Sequence, residues 1–257
     1  MLSVLIAAMV TGTLEPHFAV FLAAISAGLI MAAGNTINDY FDIEIDRINK
    51  PLRPLPAQKM SLETARILAF GEFLLGITLS AFISLPMLLI AAFFSLLIYF
   101  YAAVFKRTVL WGNLVVSLAT AATFIYGGMA VRRPGSAIIP ALFAFFFHFG
   151  REILKDIEDI KGDQKNAAQT FPVRFGVRPA IRLIWLNFLL LAVLTAVPFI
   201  AGWYGTAYFG IVVFGVYPVI GYVLISILQN TAPKHLGFLS NLLKADMLIG
   251  LLAIYFR

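Results

Sequence analysis

Nine stretches of this chain are apolar over close to the length that crosses a bilayer. They run near 1–13, 17–37, 60–81, 84–104, 111–131, 136–154, 178–200, 205–228 and 239–256. A spanning helix needs roughly 20 apolar residues, with a range of about 17–25. No other feature narrows the folds so far, because hydrocarbon admits only helices and closed barrels, whose backbone groups bond internally. The first stretch is the shortest. The third carries Arg66 and Glu72, which place its start at the interface. Of the 257 residues 61% are hydrophobic and 12% charged, whereas soluble domains average about 45–50% apolar and about 25% charged. The expectation is an all-α integral membrane protein forming one domain over residues 1–257. Met1–Gly12 lacks a basic leader, so no cleavable signal is expected.

A formal net charge of +6 could signal nucleic acid, so the placement of the basic residues decides. With a cytoplasmic N-terminus, Arg47, Lys50, Arg53, Lys59, Arg66, Lys106, Arg107, Arg151, Lys155, Lys161, Lys165, Arg174, Arg178, Arg182, Lys234 and Lys244 all fall inside. Only Arg132, Arg133 and Arg257 fall outside. Such a bias is the positive-inside signature of a multi-pass membrane protein. Membrane sidedness therefore explains the charge, and no nucleic-acid partner is expected. The absence of cysteine removes disulfides, thiolate metal sites and thiol nucleophiles from consideration.

Of the thirteen acidic residues, nine sit in two short segments, each continuing from an apolar stretch on the cytoplasmic side. The first contains Asn35, Asn38, Asp39, Asp42, Glu44 and Asp46; the second contains Glu152, Asp156, Glu158, Asp159 and Asp163. Helical phase puts Asn35, Asn38, Asp42 and Asp46 on one face with Asp39 beside them. It likewise stacks Asp156, Asp159 and Asp163, with Glu152 one turn earlier. Glu44 and Glu158 fall on the far side, toward water or a lysine. Carboxylates stacked along one helix face repel unless cations neutralise them. Oxygen-only donors point to a hard ion, and Mg²⁺ takes one or two carboxylates and fills its shell with waters and substrate phosphates. Two such clusters suit a Mg²⁺–diphosphate substrate, whose departing charge the metals stabilise. Their equivalent positions suggest a weak internal repeat of two four-helix halves plus one further helix.

Cations near the clusters also suit a diphosphate. Arg47, Lys50 and Arg53 lie in a run whose prolines stop the helix, and Lys106 and Arg107 follow Tyr99-Phe100-Tyr101 at the end of the fourth stretch. For each of them, positive-inside anchoring is the plain alternative. Glu72 and Asp246 lie within apolar stretches, where a charge faces a cavity or a partner; pairing with Arg66 and Lys244 is the expectation. His148 is read as a satisfied packing residue, and His17 and His235 as loop residues.

At the clusters the sequence closely resembles the UbiA superfamily of intramembrane prenyltransferases. Asn38-Asp39-Tyr-Phe-Asp42-Ile-Glu-Ile-Asp46 is similar to that family's NDxxDxxxD motif, and Asp159-Ile-Lys-Gly-Asp163 to its DxxxD motif. The first motif region covers 35–56 and the second 152–176. Arg53-Pro-Leu-Pro, Thr170-Phe-Pro-Val-Arg-Phe-Gly176, and Tyr101 followed by Lys106 look like further landmarks. The resemblance implies nine transmembrane helices around a central cavity, with a cytoplasmic cap formed by the two Asp-rich loops. It implies Mg²⁺-assisted ionisation of an allylic diphosphate and capture of the cation by an acceptor. By carry-over, Asp39, Asp42, Asp46, Asp156, Asp159 and Asp163 hold metal, Asn38, Lys106 and Arg53 serve the diphosphate, and Tyr101 steadies the cation or orients the acceptor. The second cluster looks most like archaeal digeranylgeranylglyceryl phosphate synthases and rather like chlorophyll synthases. That implies a polyprenyl donor, geranylgeranyl, and a lipophilic acceptor such as geranylgeranylglyceryl phosphate, with membrane lipid around it and no protein partner. An aromatic or chlorophyllide-type acceptor is the alternative. Two departures stand out: Gln58 and Ala167 occupy positions where the family usually has Gly.

Two rivals fit less well. CDP-alcohol phosphatidyltransferases need an Asp-Gly and Ala-Arg signature that is missing here. An acid-lined cation transporter would carry its acids near the bilayer midplane at broken helices, and these clusters sit at helix ends.

Overall fold

The computed structural model describes residues 1–10, 14–49 and 51–257, and every regular element among them is helical. Eight helical segments are long and apolar enough to cross a membrane: His17–Phe41, Leu62–Ala81, Leu85–Ala103, Trp111–Ala130, Pro134–Glu158, Val177–Ile200, Thr206–Gln229 and Pro233–Tyr255. They match eight of the nine predicted stretches. In the remaining one the described helix, α1 (Leu2–Val10), has 9 residues, so the count of nine is not reached among the described residues. The chain divides into two compact units, Met1–Phe105 with Ile125–Gly135, and Lys106–Phe124 with Ser136–Arg257.

In the first unit α2 (His17–Phe41) packs along α4 (Leu62–Ala81) and α5 (Leu85–Ala103). The contact is built from small residues. Ala23, Ala24, Ala33, Ala69 and Ala91 are buried beside Ile30, Ile37, Phe73 and Met87. Lipid is as apolar as leucine, so close backbone approach and hydrogen bonding replace the hydrophobic effect between such helices. Ser26 shows both: its Oγ donates to the carbonyl of Gly76 on α4 at 2.7 Å and lies 3.0 Å from the Tyr126 hydroxyl of α6 (Trp111–Ala130). A Cβ on Gly76 would stand 3.1 Å from the Ser26 carbonyl and 2.8 Å from Ile30, so glycine sets the α2–α4 spacing.

In the second unit α7 (Ile138–Glu158) packs against α10 (Val177–Ile200) and α13 (Pro233–Tyr255). Gly150 admits Asn187 and Phe188 of α10, and Asn187 Nδ2 donates to the Phe146 carbonyl at 2.7 Å. The span 206–229 is interrupted by a π-helical turn, Val212–Val216, between α11 (Thr206–Ile211) and α12 (Tyr217–Gln229). The turn runs into Pro218, which has no N–H to give and forces the ladder to shift. Gly215 in the turn lies against Ile249 of α13.

The clusters are helical, not loops. α2 runs four residues past the predicted end and α7 likewise, and the short helices α3 (Ile43–Asn49), α8 (Ile160–Lys165) and α9 (Phe171–Phe175) follow. Where the family usually has Gly, Gln58 and Ala167 take left-handed φ of 56° and 55°.

Candidate active site

Both acidic segments break their helix at one aspartate, in one conformation. Asp42 ends α2 at φ −97°, ψ 6°, with its N–H on the Asn38 carbonyl. Asp159 ends α7 at φ −91°, ψ 2°, with its N–H on the Lys155 carbonyl. These angles lie in the sparsely populated bridge region, where active-site residues collect. Each break ends the long helix at its aspartate, and a short helix follows directly.

In the first unit Asn38 Nδ2 donates to Asp42 Oδ2 at 3.0 Å. Arg53 returns from the proline-rich turn, and its Nη1 donates to Asp39 Oδ1 at 2.6 Å and Asp46 Oδ2 at 2.7 Å. Asp46 is buried, its side chain 5% exposed, whereas Arg53 is 37% exposed. Arg53 was predicted to serve phosphate oxygens; here it clasps two carboxylates. Arg47 is spent elsewhere: it bonds Glu44 at 2.7 Å on an exposed face. Glu44 does point away, to this arginine instead of a lysine. Lys50 lies outside the described residues. Tyr101 is half-buried in the last turn of α5.

In the second unit Asp156 accepts from Asn113 Nδ2 of α6 at 2.7 Å, and Asp163 accepts from Thr170 Oγ1 at 2.9 Å. Burial raises the Asp163 pKa above its ordinary 3.8, the Thr170 hydrogen bond lowers it, and the Asp159 charge adds to the rise. Asp159 is exposed. The neighbouring Gln169 N–H donates to the Arg107 carbonyl at 2.8 Å. This bond ties the second motif to the 3₁₀ turn Phe105–Arg107, in which Lys106 is half-buried. Sequence reading missed Asn113, a buried amide in an apolar span; a lone polar residue at membrane depth was the available signal.

Glu152, one turn before Asp156 on the same helix, is neutralised by Arg151 at 3.0 Å and Lys155 at 3.1 Å. Glu158 is half-buried beside Gly237 of α13, where the charges of Lys155 and Arg151 act on it, so the lysine alternative is the one present. Other expectations need correcting. The Glu72–Arg66 and Asp246–Lys244 pairs are not seen: Glu72 Oε2 and both Asp246 oxygens are buried without a hydrogen-bond partner. His148 is not satisfied either, because its Nδ1 is buried and unpartnered. His235 sits in the first turn of α13, 2.8 Å from Ser226.

The donor set suits Mg²⁺. It is oxygen only, and among the described residues no three acidic or histidine side chains converge into a ready cage. That spacing fits an ion that takes one or two carboxylates and completes its shell with water and phosphate.

The UbiA prenyltransferase family matches residues 1–242. The chain belongs to that family. It is thus a prenyl-transferring membrane enzyme. A digeranylgeranylglyceryl phosphate synthase of Methanopyrus kandleri is 37% identical over 233 residues, 90% of this chain and 84% of the relative. One from Saccharolobus solfataricus is 34% identical over 91% and 83%. A solved structure described for digeranylgeranylglyceryl phosphate synthase in membranes superposes with a TM-score of 0.82 at 31% identity, covering 99% of this chain and 91% of the other. A UbiA homologue from Archaeoglobus fulgidus, bound to GPP and Mg²⁺, shares the fold at a TM-score of 0.69 and 19% identity, over 98% and 94%.

Proposed function

We propose that this chain transfers a geranylgeranyl group from its diphosphate to geranylgeranylglyceryl phosphate, with Mg²⁺, in ether-lipid synthesis. The observation that carries the reading is the matched pair of aspartate-broken helix ends. Each carries further carboxylates; Arg53 bonds those of the first segment, and Gln169 ties the second to the turn that carries Lys106. Asp39, Asp42, Asp46, Asp156, Asp159 and Asp163 hold the metal; Asn38, Arg53 and Lys106 serve the diphosphate; Tyr101 steadies the allylic cation. When bound, Mg²⁺ supplies the charge that lets the diphosphate leave. The names and identities of the relatives support the glycerophosphate acceptor. The reading includes the nine-helix bundle, central cavity and Asp-rich cap that family membership implies. It places the site at the cytoplasmic face, in keeping with the one-sided basic residues.

The test is direct. Asp42→Asn and Asp159→Asn should each abolish Mg²⁺-dependent diphosphate release from geranylgeranyl diphosphate, by at least 100-fold, as expected for a group that stabilises transition-state charge. Near-normal turnover in both variants would sink the assignment. Offering geranylgeranylglyceryl phosphate, 4-hydroxybenzoate and a chlorophyllide in competition decides the acceptor: only the first should be prenylated.

A further inference from the structure

We infer that Arg174, Arg178 and Arg182 form a surface site for the phosphate headgroup of an anionic membrane lipid, on the face of the second unit that meets the bilayer. Any phosphate-bearing lipid of the leaflet satisfies it, so the inference does not depend on the acceptor proposed above.

The phase of α10 places two of the three. At 100° per residue Arg178, Arg182, Leu189, Val193 and Ile200 fall within about 60° of one another. All five are exposed, Leu189 at 54%, Val193 at 62% and Ile200 at 79%. The opposite face, with Ile184, Phe188 and Leu191, is buried. The two arginines therefore head the stripe that meets lipid tails instead of turning into the helix packing. From Ile200 back to Arg182 the helix rises about 27 Å, close to the roughly 30 Å of the hydrocarbon core. Arg182 thus stands where the acyl region ends, and Arg178 about 6 Å further out, at the depth of lipid headgroups.

Arg174 joins them from α9, which packs on α10. Its guanidinium lies 5.5 Å from the centre of the Phe175 ring, and Phe175 is itself 51% exposed. A cation held over an exposed aromatic puts charge at the headgroups and an apolar body beneath it. None of the three arginines meets a carboxylate among the described residues, and the first turn of α10 holds no acidic residue. The helix dipole opposes cations at that end, so the chain itself offers these charges nothing. A lipid phosphate does, because guanidinium forks bond its oxygens in pairs. The run Thr170–Gly176 then has a role at each end. The Thr170 hydroxyl, just before α9, holds the motif carboxylate of Asp163 at 2.9 Å, and Arg174 holds the lipid.

Native mass spectrometry of the full-length protein, released from phosphatidylcholine nanodiscs containing a minor fraction of phosphatidylglycerol, reads which lipid is retained. Wild type should keep phosphatidylglycerol in preference. Arg174→Gln, Arg178→Gln and Arg182→Gln should each reduce that preference about fivefold, at about 1 kcal/mol per basic residue near an anionic leaflet, and the triple variant should lose it. The three side chains are exposed, so their replacement leaves the packing intact. Lys59→Gln with Lys234→Gln removes two exposed cations of the same predicted side on other elements, and should leave the preference nearly unchanged. An equal loss in that lysine pair would reduce the effect to sidedness and overturn the site. So would a triple variant that keeps the preference, or a wild type that shows none. Inorganic phosphate or a poly-Glu peptide should not displace the lipid; displacement would assign the surface to a soluble anion or an acidic protein and overturn the inference.

Discussion

Arg53 is the residue on which the first cluster turns. It lies 14 residues from Asp39 and 7 from Asp46, yet one of its nitrogens meets both carboxylates. Helical phase was enough to gather Asn38, Asp42 and Asp46 on one face, because 3.6-residue periodicity is local. It could not show the clasp, which needs the chain between Asp46 and Arg53 to fold back. The Asn113–Asp156 bond, 43 residues apart in sequence, was hidden for the same reason. Arg53 and Mg²⁺ compete for the same oxygens, so Arg53→Met should change two affinities in opposite senses. Mg²⁺ binding without substrate should tighten, and the KM for the prenyl diphosphate should rise about tenfold or more as a phosphate contact is lost. The metal-free variant should melt earlier, because removing the arginine deletes its partly buried ion pair with Asp46. Calorimetric Mg²⁺ titration and thermal unfolding with and without the ion measure both effects. A parallel loss of both affinities would speak against the exchange.

At the scale of the element, most of what the sequence promised is present. Eight apolar stretches became spans with boundaries shifted by a few residues, since length and apolarity are properties each segment carries by itself. Turns were harder to read. The π-helical turn at Val212–Val216 follows from Pro218 only once the helix is known to continue through it. The two positions that depart from the family's glycine proved to be the informative ones: Gln58 and Ala167 both hold left-handed backbone. A Cβ there costs roughly 1–2 kcal/mol, so Gln58→Gly and Ala167→Gly should each stabilise the protein by about 0.5–1 kcal/mol after glycine's greater freedom in the unfolded chain is subtracted. A rise in the unfolding midpoint in detergent checks this; a fall would mean that the side chains make contacts worth more than the strain.

For the whole molecule, the long helix α2 joins structure to chemistry. Its middle is locked by Ser26 to Gly76 and Tyr126, and its last turn carries Asn38 and Asp39, with no proline between. The helix therefore works as a rigid shaft, and its cluster is indexed to the lock by residue count. One alanine inserted between Ser26 and Asn35 would turn everything beyond it by roughly 100° and advance it about 1.5 Å, while disturbing little of the apolar stripe before it. Such a protein should insert and fold yet lose Mg²⁺-dependent turnover, measured as diphosphate release from folded, monodisperse sample. Retained activity would mean that the cluster finds its place independently of the shaft. Point changes along this stretch and changes in its length are thus under quite different constraints: the first alter how tightly the shaft is held, and the second alter where it points.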